Sequence, residues 1–160
     1  MANMSLIEES LISYALSPQV QLESSKKSSL ELLKGLPRNL LSIRHPDFIK
    51  SLTKSFEDQS HDGPYEDAWR SGRALLALCL ILYPKHYPLT GYYALELAKA
   101  CWNAHVSENI GEIHWAGRLV SVLDSAESIL QVAGGEEEDE VASGISTVNE
   151  LRSLMNSEHI

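Results

Sequence analysis

Apolar residues recur three and four positions apart along most of the chain, and no segment alternates apolar and polar residues over several positions. Spacings of three and four are typical of amphipathic helices, whereas half-buried strands alternate with a period of two. The pattern therefore predicts an all-α protein of about six to seven helices.

Proline and glycine residues predict where these helices end. Gly35, Gly63 and Pro84 each follow an apolar helical stretch, and glycine and proline are common just beyond a helix C-terminus. A polar turn is expected over residues 105–109, and a glycine cap at residues 134–135. The predicted helices cover residues 6–14, 30–34, 46–62, 65–83, 89–104, 111–133 and 136–155.

The helix predicted over residues 65–83 is expected to lie at the centre of the core, because almost every position in its second half is apolar. Its stripe is assigned to Ala68, Trp69, Gly72, Leu75, Leu76 and Cys79. The Leu76→Ala substitution is therefore predicted to cost roughly 2–5 kcal/mol as a core truncation.

The length of 160 residues suits one domain with a sizeable core. Residues 1–40 are expected to contribute short helices and a Ser-rich linker that is only partly ordered, and residues 41–160 a helical-repeat domain. The amino-terminal stretch carries Glu8 and Glu9 and no leading basic cluster, which argues against a signal peptide. The expected location is the cytoplasm or the nucleus.

Charge narrows the classes of partner. The chain has 13 basic and 22 acidic residues and a formal net charge of −9, which repels phosphate backbones and anionic lipid. Nucleic acid and membrane are therefore not expected as partners. The longest apolar run, residues 74–83, is about half of the roughly 20 residues that span a bilayer.

No pattern of catalytic or metal-binding residues stands out. The six histidines are scattered, Cys79 and Cys101 have no C-x-x-C spacing, and no serine lies in a Gly-x-Ser-x-Gly turn. The glycines do not form a phosphate-binding loop. We therefore expect a protein that is not an enzyme and has no metal ion or cofactor.

Two resemblances to known families follow from short motifs. Residues 63–68 (GPYEDA), with Gly72 beyond them, resemble the start of the second helix of a tetratricopeptide repeat. Residues 68–72 (AWRSG), 83–91 (YPKHYPLTG) and 125–135 (SAESILQVAGG) are together similar to the carboxy-terminal, tetratricopeptide-like helical domain of the SET-and-MYND lysine methyltransferases. The resemblance covers a little over half of the chain, and it implies a fold of tetratricopeptide-like antiparallel helix pairs.

The chain differs from that family in one helix-joining motif and lacks its zinc-binding and cofactor-binding motifs. Tyr87 stands between His86 and Pro88, where the family has His-Pro, and two cysteines cannot build a MYND zinc finger. The Asn-His-Ser type of cofactor motif is also absent, so methyl transfer is carried over to no residue. The resemblance implies a non-catalytic interaction domain that binds or positions a polypeptide partner.

Repeat domains of this kind hold acidic peptide tails with Lys, Arg and Asn side chains. The candidate peptide-binding residues are Lys99, Asn103, Arg70, Arg73 and Trp102. Each of the three tryptophans is expected in the core, with partner anchoring as the alternative, and the net acidity favours a basic partner. Two other functions remain open: a carboxy-terminal fragment that shapes the substrate cleft of a SET-and-MYND-type methyltransferase, and a homo-oligomeric structural subunit.

Overall fold

A computed structural model describes residues 4–17, 29–107, 113–133 and 139–158. These residues form seven α-helices and one 3-10 helix and contain no strand, which confirms the predicted all-α class. The elements are α1 (Met4–Ala15), α2 (Ser29–Lys34), the 3-10 helix (Arg38–Arg44), α3 (Pro46–Asp62), α4 (Tyr65–Leu82), α5 (Pro88–Ser107), α6 (Ile113–Ala133) and α7 (Asp139–Ser157).

The ends of α3 and α4 follow the signals in the sequence. Pro46 opens α3 in the first turn, where no backbone N–H is needed. Gly63 ends α3 at a φ of 78°, and its N–H donates to the carbonyl of Gln59 at 2.9 Å. The helix α4 ends at Leu82, two residues before Pro84.

The structure corrects the prediction at two places. The 3-10 helix was not predicted, although Leu40 and Ile43, three residues apart, are its buried side chains. The polar turn predicted over residues 105–109 is wrong at its start, because α5 continues through His105 to Ser107. The remainder of that turn, the glycine cap at 134–135 and the start of the acidic run at 136–138 lie outside the described residues.

The chain divides into two compact units, residues 1–85 and residues 86–160. In the first unit α4 packs against α1, α2 and α3, and the 3-10 helix packs against α1 and α3. In the second unit α6 packs against both α5 and α7. The consecutive helices α3 and α4, α5 and α6, and α6 and α7 therefore pack together. The division expected at residue 40 stays a prediction.

The core of the first unit is centred on α4. Its buried residues are Ala68, Ser71, Gly72, Ala74, Leu75, Ala77, Leu78, Cys79 and Ile81. Trp69 and Leu76, both assigned to the core from the sequence, are only half-buried. Each lies one position beyond a core residue, a rotation of about 100° around the helix, which turns it away from the packed face.

Polar contacts tie the helices of the first unit together. The Arg44 guanidinium donates from Nε to the Leu33 carbonyl at 2.9 Å and from a terminal nitrogen to the Lys34 carbonyl at 3.2 Å. A cation at the C-terminus of α2 satisfies carbonyls that have no partner within the helix. Between α3 and α4, the amide nitrogen of Gln59 donates to the Ser71 hydroxyl at 2.8 Å.

The second unit has a close helix contact around Leu130. This side chain is fully buried on α6, together with Leu119, Leu123 and Ala126. A Cβ atom added at Gly91 of α5 would lie 2.9 Å from Leu130, and one added at Gly144 of α7 would lie 3.1 Å from it. The two glycines therefore make room for Leu130 where the three helices meet.

Candidate functional site

The five predicted peptide-binding residues lie on two helices in different units. Arg70 and Arg73 are on α4 in the first unit, whereas Lys99, Trp102 and Asn103 are on α5 in the second. We therefore describe each group within its own unit.

Arg70 is held by two carboxylates. Its Nε donates to Glu8 Oε2 of α1 at 2.9 Å, and a terminal nitrogen donates to Asp67 Oδ1 at 2.6 Å. Glu8 is only 4% exposed, so the pair fixes α1 to α4 through a buried carboxylate. These contacts give Arg70 a structural role, and its part in peptide binding stays a prediction.

Burial and the ion pair act on Glu8 in opposite directions. Burial is the larger effect and raises the pKa of the Glu8 carboxyl above 4.5, while the hydrogen bond from Arg70 lowers it. The neighbouring carboxylates of Asp67 and Glu9 raise it further. The hydrogen bond to Glu8 also raises the pKa of Arg70, so this guanidinium is charged at any pH of interest.

Arg73 lies on the opposite side of α4 from the core. Its guanidinium carbon is 5.4 Å from the centroid of the Trp69 ring, a cation–π distance. Both side chains are half-buried, and Leu80 on the same side is 51% exposed. Leu80 is therefore an exposed apolar side chain on this side of α4.

These residues belong to a continuous line along α4. We call Trp69, Arg73, Leu76 and Leu80 the α4 stripe; their spacing of four, three and four keeps them on one side of the helix. The sequence reasoning missed the stripe because it placed Trp69 and Leu76 in the core. The sequence did contain a signal for a second apolar surface, because a helix that is apolar on nearly every side has more apolar surface than one core can bury.

On α5, Lys99 and Asn103 lie one turn apart on the less buried side. Lys99 Nζ is 2.6 Å from Glu96 Oε1, and the two side chains are 41% and 44% exposed. An ion pair with this exposure contributes only about 0–1 kcal/mol, so either partner can exchange it for another charge. Lys99 and Glu96 can therefore both contact an incoming peptide.

Trp102 lies beside His105 further along α5. The ring centroids are 6.1 Å apart, and Trp102 is half-buried rather than in the core. The Nδ1 atom of His105 is buried and has no hydrogen-bond partner in the part of the chain that the structure describes. Of the three tryptophans, Trp115 matches the core expectation, at 3% exposed.

Negative charge is concentrated in the second unit. Residues 86–160 hold 12 of the 22 acidic residues and 3 of the 13 basic ones, a formal charge of −9, whereas residues 1–85 hold 10 of each and are neutral. The whole net charge of the protein therefore resides in the second unit.

The three basic residues of the second unit are all engaged within it. Lys99 pairs with Glu96, and Arg118 lies 4.8 Å from the centroid of Trp115. Arg152 of α7 contacts Asp124 at 2.6 Å and Glu127 at 2.5 Å, and these hydrogen bonds, Asp124 first, raise the pKa of Arg152. The remaining acidic residues define the electrostatic field of this unit.

No family model matches the chain. No curated protein and no solved structure matches it either. The resemblances to the tetratricopeptide repeat and to the SET-and-MYND methyltransferases therefore stay predictions from the sequence. The candidate surfaces are argued from the residues alone.

Two further features of the described residues bear on the site. None of the helices in the described ranges is long and apolar enough to cross a lipid bilayer. Across the same residues, no three His, Cys, Asp or Glu side chains come together in a group that could hold a metal ion.

Proposed function

We propose that this protein is a non-catalytic, tetratricopeptide-like interaction domain that binds or positions a polypeptide partner through its second unit. The observation that supports this most directly is the formal charge of −9 on residues 86–160. A surface of one sign attracts and orients a partner of the opposite sign. The partner segment is therefore basic.

The contact surface of this proposal is the less buried side of α5. Glu96 accepts a lysine or arginine of the partner, because its bond to Lys99 is exposed and weak. Lys99 is then released to bind a backbone carbonyl or a carboxylate of the same segment. Asn103, which is exposed one turn further on, can donate to and accept from the partner backbone.

Affinity capture with the full chain tests this proposal. The chain is immobilised and exposed to a cell extract at about 0.05 M salt. Bound proteins are then eluted by raising the salt concentration to about 0.5 M, because ionic screening weakens charge-based binding. The proposal predicts retained proteins with basic segments that leave as the salt concentration rises and that are lost in the Glu96→Ala, Asn103→Ala double variant.

The matched control is the Ser51→Ala, Asp58→Ala double variant. These two residues are exposed on α3 at the same spacing of seven, and one of them is acidic, but they lie in the neutral first unit. The control is expected to retain the same proteins as the wild type. The proposal would be refuted if the folded chain captured no protein, or if both double variants lost the captured proteins to the same extent.

A further inference from the structure

We propose that α1 is a detachable helix that covers a binding groove on α4 and the 3-10 helix. The partner that replaces it is an amphipathic helix with a carboxylate in the place of Glu8. The groove is the surface that α1 covers on these two elements. The inference is independent of the proposed function, because it uses the first unit rather than α5.

One side of α1 makes the contacts with the groove. Its buried apolar residues are Ile7, Leu11, Ile12 and Ala15. At about 100° per residue these positions span about 140° of the helix, and Glu8 falls inside that span. An apolar helix face laid into a groove is a common mode of recognition between proteins. The docked α1 therefore shows which kind of helix fits: one with a single carboxylate within its apolar side.

The carboxylate determines which helix fits and in which register. Glu8 is 4% exposed, and its Oε2 accepts a hydrogen bond from Arg70 Nε at 2.9 Å. A buried ion pair returns little net stability, because desolvation offsets the attraction, and its best-attested use is to fix register. Burial also outweighs the hydrogen bond in its effect on the pKa of Glu8, which is raised. The ionised Glu8 therefore contributes specificity to the docked helix rather than strength.

The other elements of the first unit contact one another without α1. The helix α4 packs against α2 and α3, and the 3-10 helix packs against α3. By contrast α1, with 12 residues, is too short to stay helical in water alone, so docking holds it in shape. A connection the length of residues 16–28 can extend to roughly 43 Å, which is enough for α1 to leave the groove and stay attached.

Amide hydrogen exchange of the unmodified full chain tests whether α1 detaches. The amides of Leu11 and Ile12 should exchange at least about tenfold faster than that of Leu75 in α4, because α1 opens without unfolding of the unit. Equal protection of the three amides would show that α1 opens only when the whole unit unfolds, and it would overturn the proposal.

The Leu11→Asp variant of the full chain tests whether a groove lies beneath α1. Leu11 is 0% exposed, so a carboxylate there should release α1 while a cooperative unfolding transition remains. The probe is a fluorescent peptide of residues 4–17. It should bind the variant at least about tenfold more tightly than the wild type, since an attached α1 competes at an effective concentration on the order of 1 mM. A peptide that binds both chains alike or neither, or a variant without a cooperative transition, overturns the proposal.

A matched pair of peptides tests the carboxylate. Glu8→Arg in the peptide should weaken its binding to the Leu11→Asp chain at least about tenfold, because two cations then meet. Glu9→Arg is the control, since Glu9 is exposed on α1 and its substitution changes the peptide charge equally. Adding Arg70→Glu to the chain should restore binding of the Glu8→Arg peptide. Equal losses from the two substitutions, or no restoration, overturn the carboxylate requirement.

Discussion

Among the described residues, Glu8 is the charged residue that is buried, and a carboxylate that is 4% exposed is rare without a cation beside it. Arg70 supplies that cation from a position 62 residues along the chain. The sequence could not reveal this pair, since nothing local to either residue indicates its partner. It explains why a charged residue lies on the packed face of α1.

The Arg70→Met variant should destabilise the protein by about 2 kcal/mol. A buried carboxylate that loses its cation typically costs 3–5 kcal/mol, and the side chain of Arg70 is itself 31% exposed, which lowers the figure. Glu8→Gln should cost less than about 1 kcal/mol, because an amide keeps the hydrogen bond and Arg70 keeps Asp67. Urea denaturation at pH 7 measures both, and a larger loss in Glu8→Gln would contradict the account.

Glu8 also predicts a pH dependence. Because its pKa is raised on folding, the folded state binds this proton more tightly than the unfolded state does. The stabilisation from Glu8 is therefore fully present below its unfolded pKa and is lost as the pH rises through its folded pKa. From pH 7 down to about 4.5, the wild type should gain stability relative to Glu8→Gln; a relative loss over that range would contradict the assignment.

At the scale of elements, the helix ends were more predictable than the helix faces. The start of α3 and the ends of α3 and α4 were predicted from proline and glycine, which act through the local backbone. The 3-10 helix at 38–44 was missed because seven residues with two buried side chains give too short a period to recognise. The buried face of α4 was misjudged because its second half is apolar on every side.

The helix α4 yields a direct test of which face is buried. Leu75 is 2% exposed, whereas Leu76 is half-buried on the α4 stripe. Leu75→Ala should therefore cost roughly 2–5 kcal/mol and Leu76→Ala about 1 kcal/mol, contrary to the figure predicted from sequence for Leu76. Chemical denaturation compares the two variants, and equal losses would place Leu76 in the core after all.

Two glycines in the second unit should respond in opposite ways to the same substitution. Gly91→Ala should cost about 1–3 kcal/mol, because the new methyl group would lie 2.9 Å from Leu130. Gly117→Ala should stabilise the protein by about 0.5–1 kcal/mol, since a Cβ there meets no described atom within 4 Å and alanine favours the helix. Thermal unfolding of the pair measures both signs, and a stabilising Gly91→Ala would show that α5 and α6 do not meet at Leu130.

At the scale of the whole molecule, the uneven distribution of charge matters more than the net value. The figure of −9 is visible in the sequence, but its confinement to residues 86–160 becomes meaningful only once the boundary at residue 85 is known. The same boundary separates the five candidate binding residues into two groups. Composition alone cannot predict either result, because both depend on which helices pack together.

The central claim is that the second unit binds a basic peptide. The most direct test is nuclear magnetic resonance of the isotope-labelled full chain, titrated with an oligolysine peptide. Chemical-shift changes should concentrate in residues 86–158, include Glu96, Lys99 and Asn103, and weaken with salt. An oligoglutamate peptide should leave those signals unchanged. Shift changes of equal size in both units, or a stronger response to oligoglutamate, would contradict the account.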